Sequence, residues 1–169
     1  MKNITSEDSP DYGIYLAKSD FNNLTDVTSN NNGQYGIYLW YSEHNELVNI
    51  TTKYNNNYGI YLYESDYNKV SNATSDNSDY GVYLYFSNSN TLINILSKYN
   101  FYDGVSLYGS NSNKLINITT KYNDDGISLG YSDFNELTNI ISSSNKGCLL
   151  YTSPSPRDLS TSRMPSSAW

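Results

Sequence analysis

The sequence predicts an all-β solenoid, a parallel β-helix of about six to seven coils with three strands per coil. Three observations carry that prediction. Glycines recur in matching contexts at Gly13, Gly36, Gly59, Gly81, Gly104 and Gly126, at intervals of 23, 23, 22, 23 and 22 residues. Each interval holds one approximate unit, G-[I/V]-[Y/S]-L-x-x-S-x-x-N-x-[L/V]-x-[N/D]-[I/V/A]-x-[S/T], followed by a polar stretch. The 169 residues are only 37% hydrophobic, too lean for a rounded globule of that size but suited to a thin, elongated body.

The first strand of each unit is GIYL or its variant. Its period of two puts Ile14 and Leu16 on one face and Tyr15 on the other, as with Ile37 and Leu39, Ile60 and Leu62, Val82 and Leu84, Val105 and Leu107, and Ile127 and Leu129. The next apolar pair, Leu24 and Val27, is three residues apart, which in a straight strand would point the two side chains to opposite faces. A bend must therefore lie between them. Asp26 stands there, and Asn49, Asn72, Asn94, Asn117 and Asn139 stand at the equivalent places. Asn and Asp best tolerate a left-handed backbone among non-glycine residues, so one residue turns the chain and returns both neighbours to the interior. Stacking the aliphatics of successive coils then builds the core, and no single coil folds alone.

Length varies at one place. Each glycine is followed nine residues later by a repeat asparagine (Asn22, Asn45, Asn68, Asn90, Asn113, Asn135), whereas the path onward to the next glycine is 14, 14, 13, 14 and 13 residues. Insertions are thus confined to the third corner, and the recurring asparagines are expected to form a ladder along the axis.

This pattern resembles the right-handed parallel β-helix repeats of the NosD-like family (PbH1-type repeats), whose units read like "GIYL..S..N.I..N.I". The resemblance covers residues 3 to about 147, the expected repeat domain, and implies right-handed winding. It also implies a periplasmic, extracellular or cell-surface setting, although no apolar leader follows the first lysine. Residues 148–169 lose the period, hold three of the four prolines, and resemble translated adapter or vector sequence. They are read as a non-repeat tail, with Cys148 and Leu150 as the start of a partial seventh coil. Uncapped terminal coils would favour end-to-end self-association.

Charge and composition exclude several functions. A net charge of −7 opposes phosphate-mediated nucleic-acid binding, one cysteine excludes an internal disulfide framework, and no apolar run is long enough to span a membrane. The strongest surface feature is aromatic. Nineteen tyrosines fall largely into columns: Tyr15, Tyr38, Tyr61 and Tyr83 outward from the first strand, continued by Ser106 and Ser128; Tyr12, Tyr35, Tyr58 and Tyr80, continued by Asp103 and Asp125; and Trp40, Tyr63, Tyr85 and Tyr108 beyond the strand. Such rings suit contact with sugars or envelope components, and they also favour strands for packing reasons alone. The expected function is a non-enzymatic surface module with carbohydrate or envelope partners, the alternatives being a fragment of a polysaccharide lyase or hydrolase and a structural spacer.

Acidic residues offer weaker candidates. Asp20, Glu43 and Asp66 recur at one corner within reach of a shared calcium ion, and Asp79, Asp103, Asp124 and Asp125 gather near another. No catalytic residue and no cofactor is assigned, because the repeats contain no arginine of the kind that serves as base in pectate lyases. The family's copper connection would need soft or imidazole ligands, for which the chain offers His44, Met1, Cys148 and Met164. His44 sits in the column of Phe21, Tyr67, Ser89, Ser112 and Phe134 and reads as a corner residue, so copper is not carried over. The sequons at Asn49, Asn72 and Asn117 fall on bend residues and read as a by-product of the repeat.

Overall fold

The structure is a computed structural model that describes residues 1–147 and, as backbone, the strand at 150–153. Its strands are β1 (Lys2–Glu7), β2 (Tyr12–Ala17), β3 (Asn23–Asn30), β4 (Tyr35–Trp40), β5 (Glu46–Lys53), β6 (Tyr58–Tyr63), β7 (Lys69–Asp76), β8 (Tyr80–Tyr85), β9 (Thr91–Lys98), β10 (Val105–Tyr108), β11 (Lys114–Lys121), β12 (Ile127–Gly130), β13 (Glu136–Ser143) and β14 (Leu150–Ser153). Odd-numbered strands form one seven-stranded sheet and even-numbered strands another, each in chain order. Every pairing is parallel and joins residues one coil apart, such as Ile14 with Ile37 and Leu24 with Leu47. The chain is therefore a parallel β-solenoid of about six turns.

The expected second and third strands of each coil are a single bent strand. In β3 the bend residue Asp26 has φ +55°, and pairing with β5 runs through Thr25–Val48, skips Asp26, and resumes at Val27–Ile50. One left-handed residue redirects the chain without ending the hydrogen-bonded run on either side, so no separate corner is needed there. The bend also solves the three-residue spacing: Leu24 and Val27 are both buried, as are Leu47 and Ile50 one coil on.

Four aliphatics per coil fill the interior. Ile37, Leu39, Leu47 and Ile50 are at most 1% exposed, and the same set recurs as Val82, Leu84, Leu92 and Ile95. Ile14 is only partly buried, because β2 is the edge of its sheet and the ring of aliphatics there is covered on one side. At roughly 1.5–3 kcal/mol per buried side chain, each coil contributes substantially to holding its neighbours.

The corners hold more than the sequence pattern announces. Besides Asp26 and its counterparts, three further columns carry positive φ, represented in one coil by Tyr41, His44 and Tyr54. None of the residues in these columns is β-branched, consistent with the extra cost of a branched Cβ in that region. Hydrogen-bond ladders then tie coil to coil. The Asn45 backbone N–H donates to Asn68 Oδ1 at 2.8 Å, and Asn68 Nδ2 donates to the Ser42 carbonyl at 2.9 Å. A second ladder runs through Asn32, whose backbone N–H and Nδ2 both donate to Asn55 Oδ1, and a third through serines, as from Ser42 N–H to Ser65 Oγ. On the outer rim the bend amides link up, Asn72 Nδ2 donating to Asn49 Oδ1 and Asn94 Nδ2 to Asn72 Oδ1.

The repeating glycine serves space rather than φ. Ser75 Oγ donates to the Gly81 carbonyl at 2.7 Å and lies where a Cβ on Gly59 would be, so a side chain there would displace the bond that closes the coil. The even-numbered sheet also continues past residue 147, since Leu150–Ser153 pairs with β12.

Two predictions follow from the ladders and bends. Replacing Asn68 by alanine strands a buried N–H and a buried carbonyl and is expected to cost about 3 kcal/mol in urea unfolding. Asn72→Gly is expected to stay within about 1 kcal/mol of the parent, whereas Asn72→Val should lose more than about 2 kcal/mol, because only the second meets the left-handed backbone with a branched Cβ.

Candidate functional site

The face of the even-numbered sheet is a tyrosine zipper. Its strands place Tyr15, Tyr38, Tyr61 and Tyr83 outward, and these rings stack along the axis with centroids 5.1, 5.1 and 5.5 Å apart and interplanar angles of 16°, 6° and 14°. Tyr12, Tyr35, Tyr58 and Tyr80 form a parallel file at 5.0–5.4 Å that leans into the first, with Tyr58 5.2 Å from Tyr83. Trp40, Tyr63 and Tyr85 lie along the other margin, the last two stacked at 5.3 Å. The expected outward direction holds, but outward does not mean free. Tyr61 is 8% exposed and Tyr15, at the sheet edge, 45%.

Stacking sets what this face can offer. Rings piled along the axis hide their flat sides against one another, and burial reaches the phenol ends of Tyr38, Tyr61 and Tyr83 as well. Burial, then the neighbouring phenols, raises the pKa of Tyr38, Tyr61 and Tyr83, and Tyr58 is pushed up to about 12 by the same causes. The hydroxyls thus remain neutral donors and acceptors at any physiological pH, repeated once per coil.

A second set of exposed rings lies at the corners. Tyr41, Tyr54, Tyr67, Phe86, Tyr99 and Tyr122 are all exposed, and all have positive φ. Of these the sequence pattern singled out only Tyr67, in the corner column of His44. The signal that marks part of this set is the Lys-Tyr dipeptide at residues 53–54, 98–99 and 121–122. A left-handed corner residue throws its side chain away from the coil; Tyr41 and Phe86 still meet the margin file edge-on, at 4.9 Å from Trp40 and 4.6 Å from Tyr85.

The acidic corner residues act as rungs. Asp20 Oδ1 accepts the Glu43 backbone N–H at 2.7 Å, and Asp66 Oδ1 accepts that of Asn88 at 2.6 Å. Asn88 and Asn111 continue the same pattern, which explains why amide and carboxylate interchange in this column. Among the described residues, no group of three or more His, Cys, Asp or Glu side chains is placed to hold a metal ion, so Asp20, Glu43 and Asp66 are not brought together as a calcium site. His44 is stacked between Phe21 and Tyr67 at 4.9 and 5.0 Å, within 7° of both planes. The sequon asparagines Asn49, Asn72 and Asn117 engage their amides in the rim ladder.

Where the tyrosine files end, Asp103, Ser106, Asp125 and Ser128 take their places. Burial pushes the Asp103 carboxyl up to about 6, with Asp125 and Asp124 adding to the shift and a hydrogen bond from Ser106 opposing it. Asp124 pairs with Lys146 at 3.9 Å, and Asp79 stands two rungs from Asp124 in the same corner column, linked through the Tyr102 backbone, its own pKa raised by burial. Because the folded pKa of Asp103 lies above its unfolded value of about 3.9, its proton favours the folded state below pH ~4, and that contribution fades as pH rises through about 6. Asp103→Asn is therefore expected to gain about 1 kcal/mol over the parent at pH 7.5 after allowance for partial exposure, and to gain nothing at pH 4, as read from urea midpoints.

Comparisons with known proteins agree with this geometry. None of the curated proteins compared with the chain matches it. Solved structures share the fold, two of them alginate epimerases. The A-module of the Azotobacter vinelandii mannuronan C-5 epimerase AlgE4 superposes with a TM-score of 0.74 at 14% identity, covering 92% of this chain and 55% of that one. A double mutant of the periplasmic alginate epimerase AlgG gives 0.52 at 19% identity, covering 84% and 47%. The chain thus spans about half the length of each, and at these identities the likeness is one of fold. The family model described as "Periplasmic copper-binding protein (NosD)" matches residues 1–95 and 73–160. The copper of that description finds no matching donor set among the described residues: the single histidine is locked in an aromatic stack, Met1 stands exposed and apart, and Cys148 and Met164 lie outside the described residues. Matching repeats along nearly the whole chain, on a parallel solenoid with one unit per coil, place the chain in the NosD family.

Proposed function

We propose that the chain is a non-enzymatic, extracytoplasmic β-solenoid module that holds polysaccharide along its tyrosine face. The observation that carries this reading is the axial file of phenols, Tyr15, Tyr38, Tyr61 and Tyr83, with ring centres spaced at 5.1–5.5 Å on rigid strands. A glycan chain laid along the axis meets one hydrogen-bonding hydroxyl per coil, with Trp40, Tyr63 and Tyr85 as a margin. Rigid phenols lose little conformational entropy on contact, which favours weak, repeated bonds. The family description and the second solved structure both carry the word periplasmic, which supports the location.

The second reading, a portion of a polysaccharide-active enzyme, is favoured by Asp103, a carboxyl raised toward neutrality beside Asp125 where the tyrosine file ends. The fold it shares with two alginate epimerases is compatible with either reading.

A glycan array probed with the full chain and with a quadruple variant separates these readings. Changing Tyr15, Tyr38, Tyr61 and Tyr83 to phenylalanine keeps the stacks and deletes the hydroxyls, so stability should change by about 1 kcal/mol or less per site while polysaccharide retention falls at least tenfold. Equal retention by both proteins would sink the tyrosine-face reading. Retention of nothing would favour a spacer, and altered uronate products after incubation with polymer would favour the enzyme.

A further inference from the structure

The column Tyr54, Asn77, Tyr99 and Tyr122 lies at the variable corner, away from the tyrosine sheet, and all four residues have positive φ. Where two tyrosines are consecutive the rings lie parallel, Tyr99 on Tyr122 at 5.0 Å and 5°. Asn77 interrupts the column, so Tyr54 and Tyr99 are two rungs apart, about 9.6 Å at the strand spacing. The face of Tyr99 opposite Tyr122 is turned toward that gap.

The same corner is also shortened. From Asn68 to Gly81 is 13 residues, against 14 from Asn45 to Gly59 and 14 from Asn90 to Gly104. The flanking backbones still bond to it, Tyr80 N–H to the Asn57 carbonyl at 2.9 Å and Phe101 N–H to the Ser78 carbonyl at 2.9 Å, so it sits recessed between longer corners. The result is an open notch of about 450 Å³ lined by Tyr54, Asn77, Ser78, Asp79, Tyr99 and Phe101. Tyr54, Tyr99 and Phe101 are 59%, 50% and 64% exposed. Ser78 replaces the asparagine of the second ladder, and its buried Oγ has no hydrogen-bond partner. A comparable gap between Tyr41 and Phe86 is occupied by Glu64, whose carboxylate accepts the Tyr41 hydroxyl at 3.0 Å. Asn77 is too short to fill its gap in that way.

We propose that this notch is a sugar-binding slot that clamps one neutral hexopyranose ring between Tyr54 and Tyr99. A six-membered ring centred in the gap stands about 5 Å from each phenol, the spacing at which rings of this column already stack, and presents its C–H faces to both. The Asn77 amide and Asp79 carboxylate meet its hydroxyls at the edge. Asp79 opposes a uronate, and the one ammonium in reach, Lys98, is engaged by Asp76 at 3.9 Å and lies over the Tyr99 ring, 5.6 Å from its centre. The slot rests on the reading of the chain as a glycan-binding module; its two rings are more exposed than those of the tyrosine sheet, Tyr54 at 59% and Tyr99 at 50%, and a sugar seated between them displaces the Lys98 ammonium from the Tyr99 ring.

Titration calorimetry of the full chain with cellohexaose, mannohexaose and hexamannuronate tests it. A neutral hexamer is expected to bind, and Asn77→Tyr, which completes the tyrosine column with a residue that its neighbours carry at the same φ, should weaken it at least tenfold with unchanged circular dichroism and an equal or higher Tm. Tyr99→Ala should weaken it similarly, while the four-phenylalanine sheet variant keeps affinity within threefold. Undiminished binding by Asn77→Tyr, or binding of hexamannuronate alone, would overturn the slot. Affinity lost only in the phenylalanine variant would overturn the slot and leave the tyrosine-sheet reading standing, and absence of binding by the parent chain to all three hexamers would overturn both.

Discussion

The structure depends on one constraint: a corner N–H that leaves the sheets must find its acceptor one coil away. Backbone carbonyls meet part of that demand, as where Tyr41 N–H donates to the Tyr63 carbonyl and Tyr54 N–H to that of Asp76. Side chains meet the rest, and the asparagine and serine ladders are the means. The Asn45 to Asn68 bond and the Ser42 to Ser65 bond each tie one coil to the next in the same axial direction. Because an unpaired buried amide costs more than a made bond gains, this demand fixes residue identity at the corners as firmly as burial fixes the aliphatics.

Core, corners and surface are consequences of that arrangement in sequence. Glycine is required where a serine hydroxyl closes the coil, the aliphatics face inward because the bend restores their direction, and tyrosines are driven to the outer face of the even-numbered sheet. There they stack on their equivalents in the next coil, because parallel pairing in register places like on like. The same register that stacks leucine on leucine stacks tyrosine on tyrosine, and so determines that the rings of the sheet hide their flat sides against one another.

Much of this was legible in the sequence, for physical reasons that also define what was not. The glycine interval, the paired aliphatics and the left-handed Asp26 column are local patterns, and each is found where it was expected. The merging of two expected strands into one was not visible, because a single left-handed residue can either end a strand or bend it, and only the pairing of β3 with β5 distinguishes the two. The ladder through Asn32 and Asn55 was not visible in the sequence because its next member is Ser78. The alternation of Tyr15, Tyr38 and Tyr61 showed which way the rings point. Their mutual cover did not show, since it arises from the lean of a second file that strand periodicity does not encode. The left-handed aromatic corners break the usual preference of that region for small polar residues, and the sequence marks only part of them, through the Lys-Tyr dipeptides.

The corner that alternates between two lengths has a wider consequence. It lies outside the aliphatic stack and outside the Asn45 and Ser42 ladders, and the coils on either side close over a missing residue without losing their register. Copying a unit and then editing that one stretch would alter the rod's outline while leaving its architecture untouched. Chains of this kind thus have an evolutionary outlet, in which recognition drifts coil by coil under weak structural selection.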